Sequence, residues 1–510
     1  MDSPLVVQLF RSLFRHPACP SRRNLAALTN CLQHGRRIQQ RQQEQRRYMG
    51  HRHTTRGSKH GPSGQEDNWQ QRTDMFVLDM TEEYKAFPTV TANDLRSRRE
   101  RPRKVKMLMR DFIEDSLYNP HYGYFSKQVV IFSPGEPFNF NDLPDEPTFH
   151  DELRRRYTEF EDKLDAKDGR SNDTRQIWHT PTELFRPYYG EAIARYLMSN
   201  YLMTTYPYHD LIIYEMGAGR GTLMLNILDY IRDIEPAVYD RTKYKIIEIS
   251  SSLASLQNAQ LLATAASRGH ANKVEIINKS IFDWDSREPS PCFFLAMEVF
   301  DNFAHDVLRY DLKTEEPLQG TVLIDGHGDF YEFYEPVLDP VAARYLRVRH
   351  AATNGQYRVP YPTNRAMRWL KTQLPLAPNL SDPEYIPTRL MQFFDILEKH
   401  FPAHRLVTSD FHKLPDAVRG LNSPVVQTRF ERRMVTVSTP LVHQGYFDIL
   451  FPTDFAVMEA VYGALTGKLT RVLTHETFMN SWAYVEDTRT RSGENPLLSW
   501  YRNASVMVTL

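Results

Sequence analysis

The sequence predicts an α/β fold, a Rossmann-like doubly wound sheet with a helical N-terminal part and a helical insertion. From about residue 206 to 335, apolar β-branched runs alternate with helix-like stretches, a pattern typical of parallel strands covered on both faces. The first run, DLIIYEM, leads into Gly217, Gly219 and Gly221 and then into a helix. The chain has 510 residues, so one large elaborated domain or two domains are expected.

The remaining elements of the sheet follow in order along the chain. The strands YKIIEIS, KVEIINKSI and CFFLAMEVF follow the helix GTLMLNILDYIRDI, and the helix SSLASLQNAQLLATAAS separates the first two of them. GTVLIDGHGDFYEFYEPV predicts a hairpin around Gly326 to Gly328. Residues 338–403 are predicted to be helical and interrupted by prolines. HRLVTSDF and RMVTVSTP are predicted as late strands, so the sheet is interrupted by an insertion and completed near the C-terminus.

The part before the sheet is predicted to be helical. One amphipathic helix starts at KVKMLMRDF and ends at Asn119 and Pro120, and another covers PYYGEAIARYLMSNYL. Between them, DELRRRYTEFEDKLDAKDG is charged all round and predicts an exposed helix that ends near Gly169, a solvated insertion without chemistry. The predicted regions are 1–73, 74–205, 206–335, 336–403 and 404–510.

The first 60 residues hold eleven arginines and one lysine, with Asp2 and Glu44 as the only acids. VVQLFRSLFRH places Arg11 and Arg15 beside apolar residues at helical spacing. This pattern predicts a mitochondrial presequence, with a disordered linker up to about Thr73. The alternative is a disordered basic tail that contacts RNA.

Composition excludes several other classes of protein. The net charge is zero, which gives no support to a general preference for nucleic acid. Cys19, Cys31 and Cys292 form no CxxC pair, so neither a disulfide framework nor a metal site is predicted. No apolar run is long enough to span a bilayer.

The glycine loop indicates a nucleotide-like ligand, because glycines let backbone approach a ligand closely. A P-loop would need a lysine that is absent, and the dinucleotide fingerprint would need glycine where the chain has Thr222. GxGxG preceded by an acid is instead the pattern of class I S-adenosylmethionine (SAM) methyltransferases. Glu215 would pair with the ammonium group of the cofactor's methionine moiety.

Acids at the next strand ends strengthen this interpretation. Glu248 can accept hydrogen bonds from both ribose hydroxyls, or it is an exposed acid at a helix start. Asp283 can accept from the adenine amino group, and Trp284 or Phe282 can cover the ring. A core anchor is an equally good interpretation of Trp284.

The end of the fourth strand is where class I methyltransferases place their acceptor. The nucleobase motif [DNS]PP[YF] is absent there, and Cys292 stands at the wrong end of the strand to be a nucleophile. Glu298 and Asp301 remain as catalytic candidates, because paired carboxylates can clamp a guanidinium and hold it in line for transfer. The alternative is that these two acids cap the following helix.

In these and other segments the chain resembles the MidA-like mitochondrial methyltransferases. YEMGAGRGTLMLNIL is similar to that family's strand and E-L-G-P-G-R-G-T-L loop, and MEVFDN is similar to its N-E-F-F-D-A turn. Further similar segments are IIEIS, LYNPHYGYF, HTPTELFRPYYGEAI and GYFDILFPTDFAVM. The resemblance spans roughly residues 106–465.

The resemblance implies a SAM-binding fold, a mitochondrial matrix location and symmetric dimethylation of an arginine in a complex I subunit. It implies that Glu298 and Asp301 face the acceptor and that Tyr124 and Glu183 line the pocket. The residues it implies for cofactor binding are Glu215, Gly217, Gly219, Arg220, Gly221, Glu248 and Asp283.

The chain also departs from the family pattern. Ala218 replaces a proline, Met297 replaces an asparagine, and Asn302, Phe303 and Ala304 replace Ala-Leu-Pro. His305 falls one place short of the family's histidine, and a second histidine is missing before Thr453. One hypothesis from these departures is a divergent paralogue with another substrate, and a second is a mitochondrial assembly or scaffold protein that binds SAM without catalysing transfer. A third, RNA methylation, is disfavoured because no nucleobase motif or basic patch is expected beyond the presequence.

Overall fold

The computed structural model describes residues 79–127, 129–248, 254–364, 366–369 and 379–510. The predicted presequence and linker, residues 1–73, lie outside these ranges. Within them, no helix is long and apolar enough to cross a membrane. The helices are α1 (Thr81–Ala86), α2 (Ala92–Leu95), α3 (Met109–Tyr118), α4 (Tyr124–Lys127), α5 (Glu146–Asp168), α6 (Pro181–Leu184), α7 (Tyr188–Thr204), α8 (Thr222–Ile234), α9 (Pro236–Asp240), α10 (Ala254–Ser267), α11 (Pro340–Ala352), α12 (Thr388–His400), α13 (Phe455–Thr466), α14 (His475–Trp482) and α15 (Pro496–Ser499).

The strands belong to one central sheet and to smaller sheets around it. In chain order they are β1 (Val105–Leu108), β2 (Val129–Ile131), β3 (Gln176–Trp178), β4 (Leu211–Met216), β5 (Thr242–Glu248), β6 (Val274–Asn278), β7 (Cys292–Met297), β8 (Asp306–Tyr310), β9 (Pro317–Ile324), β10 (Phe330–Glu335), β11 (Glu384–Ile386), β12 (His404–Phe411), β13 (Val425–Phe430), β14 (Arg433–Val437), β15 (Asp448–Leu450), β16 (Thr470–Thr474) and β17 (Ala504–Thr509).

Across the described residues, the central sheet has the strand order β6-β5-β4-β7-β12-β17-β16. Strands β4, β5, β6, β7 and β12 are parallel, whereas β17 runs antiparallel to both of its neighbours. The chain leaves β4 for β5 on one side and returns to β7 on the other. The predicted doubly wound sheet is therefore confirmed, and its order reverses between β4 and β7.

The inner strands β4 and β7 are almost entirely apolar because both faces of the sheet are covered. On one face, Ile213 of β4 packs in a cluster with side chains of α7, α8 and α14. On the other face, Tyr214 and Met216 pack with side chains of α12 and α13. The predicted helices GTLMLNILDYIRDI and PYYGEAIARYLMSNYL form as α8 and α7.

A second sheet has the order β1-β9-β8-β11, with β10 paired to β9 as the predicted hairpin. It takes strands from three of the predicted regions, 74–205, 206–335 and 336–403. The predicted helix at KVKM is wrong for its first residues, because Val105–Leu108 pairs with β9 instead. Val105 and Met107 alternate with less buried neighbours, which is the strand period of two.

The prediction that RMVTVSTP completes the central sheet is wrong. Arg433–Val437 pairs with β13 in a separate sheet of β13, β14 and β15. Of its five residues only Met434 is buried, whereas an inner strand of the central sheet would be buried on both faces. Strands β17 and β16 complete the central sheet instead.

The charged helix α5 ends at Gly169 as predicted, but it is not a solvated insertion. Phe149 and Leu153 lie in the main hydrophobic cluster. The Glu161 side chain is buried, and Arg429 of β13 donates to both of its oxygens, at 2.7 and 2.6 Å. The helix therefore ties the N-terminal part to the three-stranded sheet.

Replacing Glu161 by alanine should lower the free energy of unfolding by about 3 kcal/mol or more, because a buried guanidinium loses its partner. Asp162→Ala is the matched control, since that side chain is 60% exposed and pairs with Arg432 at 2.9 Å. The control should cost less than about 1 kcal/mol. Denaturant unfolding of the three proteins measures the difference, and equal losses in the two variants would contradict the role given to Glu161.

Candidate functional site

A cavity of about 850 Å³ lies at the carboxyl ends of β4, β5 and β7, where the strand order reverses. Open α/β sheets bind their ligands at such a point, and the volume is in the range of cofactor sites. The N-terminal part, the loop after β12 and the sheet of β13, β14 and β15 close the cavity on its other sides. Lining residues include Trp178, Gly217, Gly219, Arg220, Glu248, Phe282, Glu298, Asp301 and Asp448.

The glycine loop has left-handed backbone at all three glycines, with φ of +73° at Gly217, +54° at Gly219 and +74° at Gly221. Residues with a side chain rarely adopt this conformation. Gly217 and Gly219 line the cavity, so their backbone is open to a ligand. Gly221 serves packing, because an added Cβ would lie 2.0 Å from Leu261 Cδ1 on α10.

Glu215, at the end of β4, is buried and lies outside the cavity lining. Tyr244 Oη donates to its Oε2 at 2.8 Å. Burial raises the pKa of Glu215 to about 7. The carboxyl group therefore lies beneath the glycine loop and is held by the neighbouring strand.

Of the predicted residues on β5 and beyond β6, Glu248 and Phe282 line the cavity. Asp283 is more exposed and forms an ion pair with Arg96 at 3.3 Å. Since Arg96 also lines the cavity, this pair stands at its mouth.

Trp284 lies in the core instead. It packs against Tyr214 and Phe401, and its Nε1 donates to the carbonyl of Ser286 at 2.8 Å. Of the two rings predicted to cover an adenine, the structure therefore places only Phe282 at the cavity.

Tyr124 and Glu183 are both buried behind the cavity wall. Tyr124 Oη accepts from Trp178 Nε1 at 2.6 Å, and Trp178 is the ring that faces the cavity. Glu183 accepts from the Thr222 hydroxyl and lies 3.9 Å from Arg220 Nε. Tyr124 thus orients a wall residue, and Glu183 fixes the end of the glycine loop.

Glu298 and Asp301 follow β7 and line the cavity together with Asp448 of β15. Glu298 has a left-handed backbone with φ of +54°, which costs about 1–3 kcal/mol for a residue with a side chain. Asp301 is buried, and its Oδ1 has no hydrogen-bond partner. Asn302 Nδ2 donates to Asp448 Oδ1 at 3.0 Å, so the turn after β7 and strand β15 are joined at the site.

Asp410, at the end of β12, supports this turn from below. Its Oδ2 accepts from the backbone N–H of Phe300 at 2.8 Å and of Asp301 at 3.2 Å. Its Oδ1 accepts from the N–H of Phe411 at 2.7 Å. We call Glu298, Asp301, Asp410 and Asp448 the carboxyl cluster.

Burial raises the pKa of every member of the carboxyl cluster. The pKa values of Asp410 and Asp448 rise to about 7. Those of Glu298 and Asp301 rise well above the ordinary range through burial and the neighbouring charge of Asp410. Within the described ranges, no lysine or arginine forms an ion pair with the cluster. The arrangement is suited to receive a cation from outside.

Asp410 and Asp448 were missed by the sequence reasoning. The rule that strand-end acids meet at one edge of a parallel sheet would have found Asp410 at the end of HRLVTSDF. Asp448 lies in GYFDILFPTDFAVM, a segment already noted for its resemblance, where no role was assigned to the acid.

A sheet of this order, with a reversed strand next to the last position and a GxGxG loop after its first strand, defines a class I SAM-dependent methyltransferase. A family model described as "Putative S-adenosyl-L-methionine-dependent methyltransferase" matches residues 192–473, more than half of the chain. The chain belongs to this family, and its cofactor is SAM.

A relative from Schizosaccharomyces pombe is named "Protein arginine methyltransferase NDUFAF7 homolog, mitochondrial". It is 23% identical over 390 residues, which cover 75% of this chain and 80% of the relative. A crystal structure from Burkholderia thailandensis bound to S-adenosyl-homocysteine is 15% identical, with a TM-score of 0.49 over 86% of this chain and 94% of that chain. A native structure from the same organism is 13% identical, with a TM-score of 0.47 and the same coverage.

The residues at the cavity fit this cofactor. Gly217 and Gly219 offer backbone that no Cβ covers, and a Cβ at Gly217 would lie 3.2 Å from Val299 Cγ2. Glu248 stands at the next strand end, where a carboxylate can accept from ribose hydroxyls. Phe282 offers a ring in the same cavity.

Glu248→Ala should raise the SAM dissociation constant by about 10- to 100-fold, because hydrogen bonds to a charged group contribute about 1.5–3 kcal/mol. The control is Glu275→Ala on β6, which is 60% exposed and pairs with Lys245 at 3.4 Å. Calorimetric titration of the folded variants with SAM measures both. Equal affinities for wild type and Glu248→Ala would exclude the ribose role.

Asp448→Asn should stabilise the free protein at pH 8. The pKa of Asp448 is raised to about 7 in the folded state and is about 3.9 when unfolded. Between these values the folded state holds a proton that the unfolded state has lost, so the stability of the wild type falls as pH rises. An asparagine at position 448 still accepts the hydrogen bond from Asn302. Because asparagine does not titrate, the loss of stability with rising pH disappears.

The gain in stability from Asp448→Asn should grow by about 2–3 kcal/mol from pH 5 to pH 8. Unfolding measured across this range tests it, with the exposed Glu316→Gln as control. A gain that does not change with pH would contradict the raised pKa.

Proposed function

We propose that this chain is a mitochondrial protein arginine methyltransferase whose substrate belongs to the assembly of respiratory complex I. The carboxyl cluster carries the proposal, because it stands beside the glycine loop and has no cationic partner within the described residues. A guanidinium supplies the missing charge and matches paired carboxylates in shape. Three further points support the proposal: the resemblance to MidA-like methyltransferases, the name of the relative from S. pombe, and the arginine-rich start.

On the cofactor side, the residues of this chain bind SAM and orient it. Bound SAM supplies a methyl group on a sulfonium. The backbone of Gly217 and Gly219 would lie against the cofactor, Glu248 would accept from the ribose hydroxyls, and Phe282 would cover the adenine. The glycine loop is held in place from behind by Glu215, Glu183 and Gly221. Arg220 and Asp283 stand at the edges of the pocket.

On the acceptor side, Glu298 and Asp301 accept hydrogen bonds from the guanidinium and hold one nitrogen toward the cofactor. Asp410 fixes the turn that carries both residues through the backbone N–H groups of Phe300 and Asp301. Transfer would form the bond from this nitrogen to the methyl carbon and break the bond from that carbon to the sulfonium sulfur, which keeps the electron pair. The nitrogen would then release a proton. A carboxylate of the cluster takes that proton, and the raised pKa values suit the group to this task.

The alternative is an assembly protein that binds SAM and does not transfer its methyl group. The departures after Asp301 and before Thr453 motivate it, because they lie on the acceptor side. The two functions differ in one result, the formation of methylated arginine.

Glu298→Gln and Asp301→Asn should each reduce methyl transfer at least about 100-fold, because each removes a charge that holds the acceptor. SAM affinity should stay within about threefold of wild type, since the proposed cofactor contacts are made by Gly217, Gly219 and Glu248. The exposed Asp240→Asn serves as control. The assay follows labelled methyl groups from SAM into arginine of proteins in a mitochondrial matrix extract, and calorimetry gives the SAM affinity.

Transfer that survives in Glu298→Gln and Asp301→Asn would remove their acceptor roles. A wild type that binds SAM and yields no methylated arginine would favour the assembly protein.

A further inference from the structure

Residues 96–104 read Arg-Ser-Arg-Arg-Glu-Arg-Pro-Arg-Lys, with six basic residues and a single acid, in a chain of net charge zero. All of these residues except Arg101 and Pro102 are exposed. We call this segment the basic rim. It corrects the expectation that no basic patch lies beyond the presequence.

The basic rim begins at the mouth of the cavity. Arg96, together with Ala92 and Asn93 just before it, lines the cavity. The segment is anchored at both ends: Asn119 Nδ2 donates to the carbonyl of Leu95 at 3.1 Å, and the N–H of Lys104 donates to the carbonyl of Asp325 at 3.2 Å. Its arginines are therefore presented from a fixed backbone.

The rim also reaches the acceptor side of the cavity. Arg101 Nε donates to the carbonyl of Gln444 at 2.7 Å, and its guanidinium lies 4.5 Å from the centre of the Tyr446 ring. This loop leads directly into β15, which carries Asp448. The rim thus runs from the Arg96 and Asp283 pair to the strand that bears one member of the carboxyl cluster.

Arg98 and Arg99 are exposed and, among the described residues, form no ion pair, and Arg98 adds its charge to the hydrogen bonds from Thr91 that lower the pKa of Asp94. The other arginines of the rim are in contact with neighbouring groups, Arg96 with Asp283, Arg101 with Gln444 and Arg103 with Gly326. Two cations are therefore available beside the mouth of a cavity whose interior carries carboxyl groups.

We propose that the basic rim binds acidic residues that flank the target arginine, so that the substrates are protein segments with arginine next to aspartate or glutamate. This inference rests on the proposed function. In such a segment the arginine would enter the cavity, where the carboxyl groups lie, and the flanking acidic residues would stay outside, against the arginines of the rim. Each charge of the segment would then meet the opposite charge of the site. Nucleic acid would fit the rim but would bring phosphates against Glu298, Asp301 and Asp448.

The test uses the full chain saturated with S-adenosyl-homocysteine and labelled synthetic peptides of equal length. One peptide has a central arginine with flanking glutamates, and a second has glutamines in place of the glutamates. A third keeps the glutamates and has alanine in place of the arginine. Fluorescence anisotropy gives the dissociation constants for wild type, for Arg98→Ala with Arg99→Ala, and for the control Arg347→Ala with Arg471→Ala, two exposed arginines away from the cavity.

Wild type and control should bind the glutamate peptide about tenfold more tightly than the glutamine peptide. The preference should fall to within about twofold in the rim variant, and it should weaken with salt in the wild type. Equal affinity for the two peptides, or a preference that survives without Arg98 and Arg99, would overturn the proposal.

Two further probes identify other occupants of the rim. Tighter binding of a single-stranded RNA or of a cardiolipin-containing vesicle through Arg98 and Arg99 would also overturn the proposal. If the alanine peptide binds as tightly as the arginine peptide while the rim variant still loses its preference, the rim stands as a site for acidic segments. In that case the arginine acceptor of the proposed function fails instead.

Discussion

The burial of several carboxyl groups in one small region, without a cation beside them in the described residues, is the constraint on which the rest of this structure depends. Each group would be ionised in water at neutral pH, and burial raises the pKa of all four. Such an arrangement costs stability, so the surrounding fold must hold it in place. Backbone N–H groups do so at Asp410, and the Asn302 side chain does so at Asp448.

Much of the chain outside the central sheet serves to hold that region. Strand β15 brings Asp448 to the cavity, and the three-stranded sheet that contains β15 is tied to α5 through the Glu161 and Arg429 pair. The loop before β15 packs against the N-terminal part, where a Cβ at Gly445 would lie 1.7 Å from the carbonyl oxygen of Tyr122. The N-terminal part and the late strands therefore form one wall, and the cavity is complete only when both are folded.

Short sequence patterns were sufficient to predict the parallel strands of the central sheet and the glycine loop. Strands β4 and β7 are nearly continuous apolar runs, and the glycine spacing predicted the loop that lines the cavity. Strand-end acids such as Glu248, Glu298 and Asp301 followed from the geometry of a parallel sheet. The predictions that failed concern elements whose position depends on pairing with other strands. Strand β1 pairs with β9, β14 pairs with β13, and Asp448 reaches the site only because β15 carries it there. Trp284 shows the same limit, since the sequence could not tell whether its ring faces the cavity or Phe401.

The histidines by which this chain departs from the family pattern bear on how the site handles a proton. His305 is buried, its ring lies 3.8 Å from that of Phe451, and its Nδ1 donates to the carbonyl of Phe303 at 2.7 Å. Burial lowers its pKa to about 3, so this ring stays neutral and serves packing. Asp454 caps α13 by accepting from the N–H of Val457 at 3.2 Å. Neither residue lines the cavity beside the glycine loop, so in the proposed transfer the acids placed to take a proton are Glu298, Asp301 and Asp448.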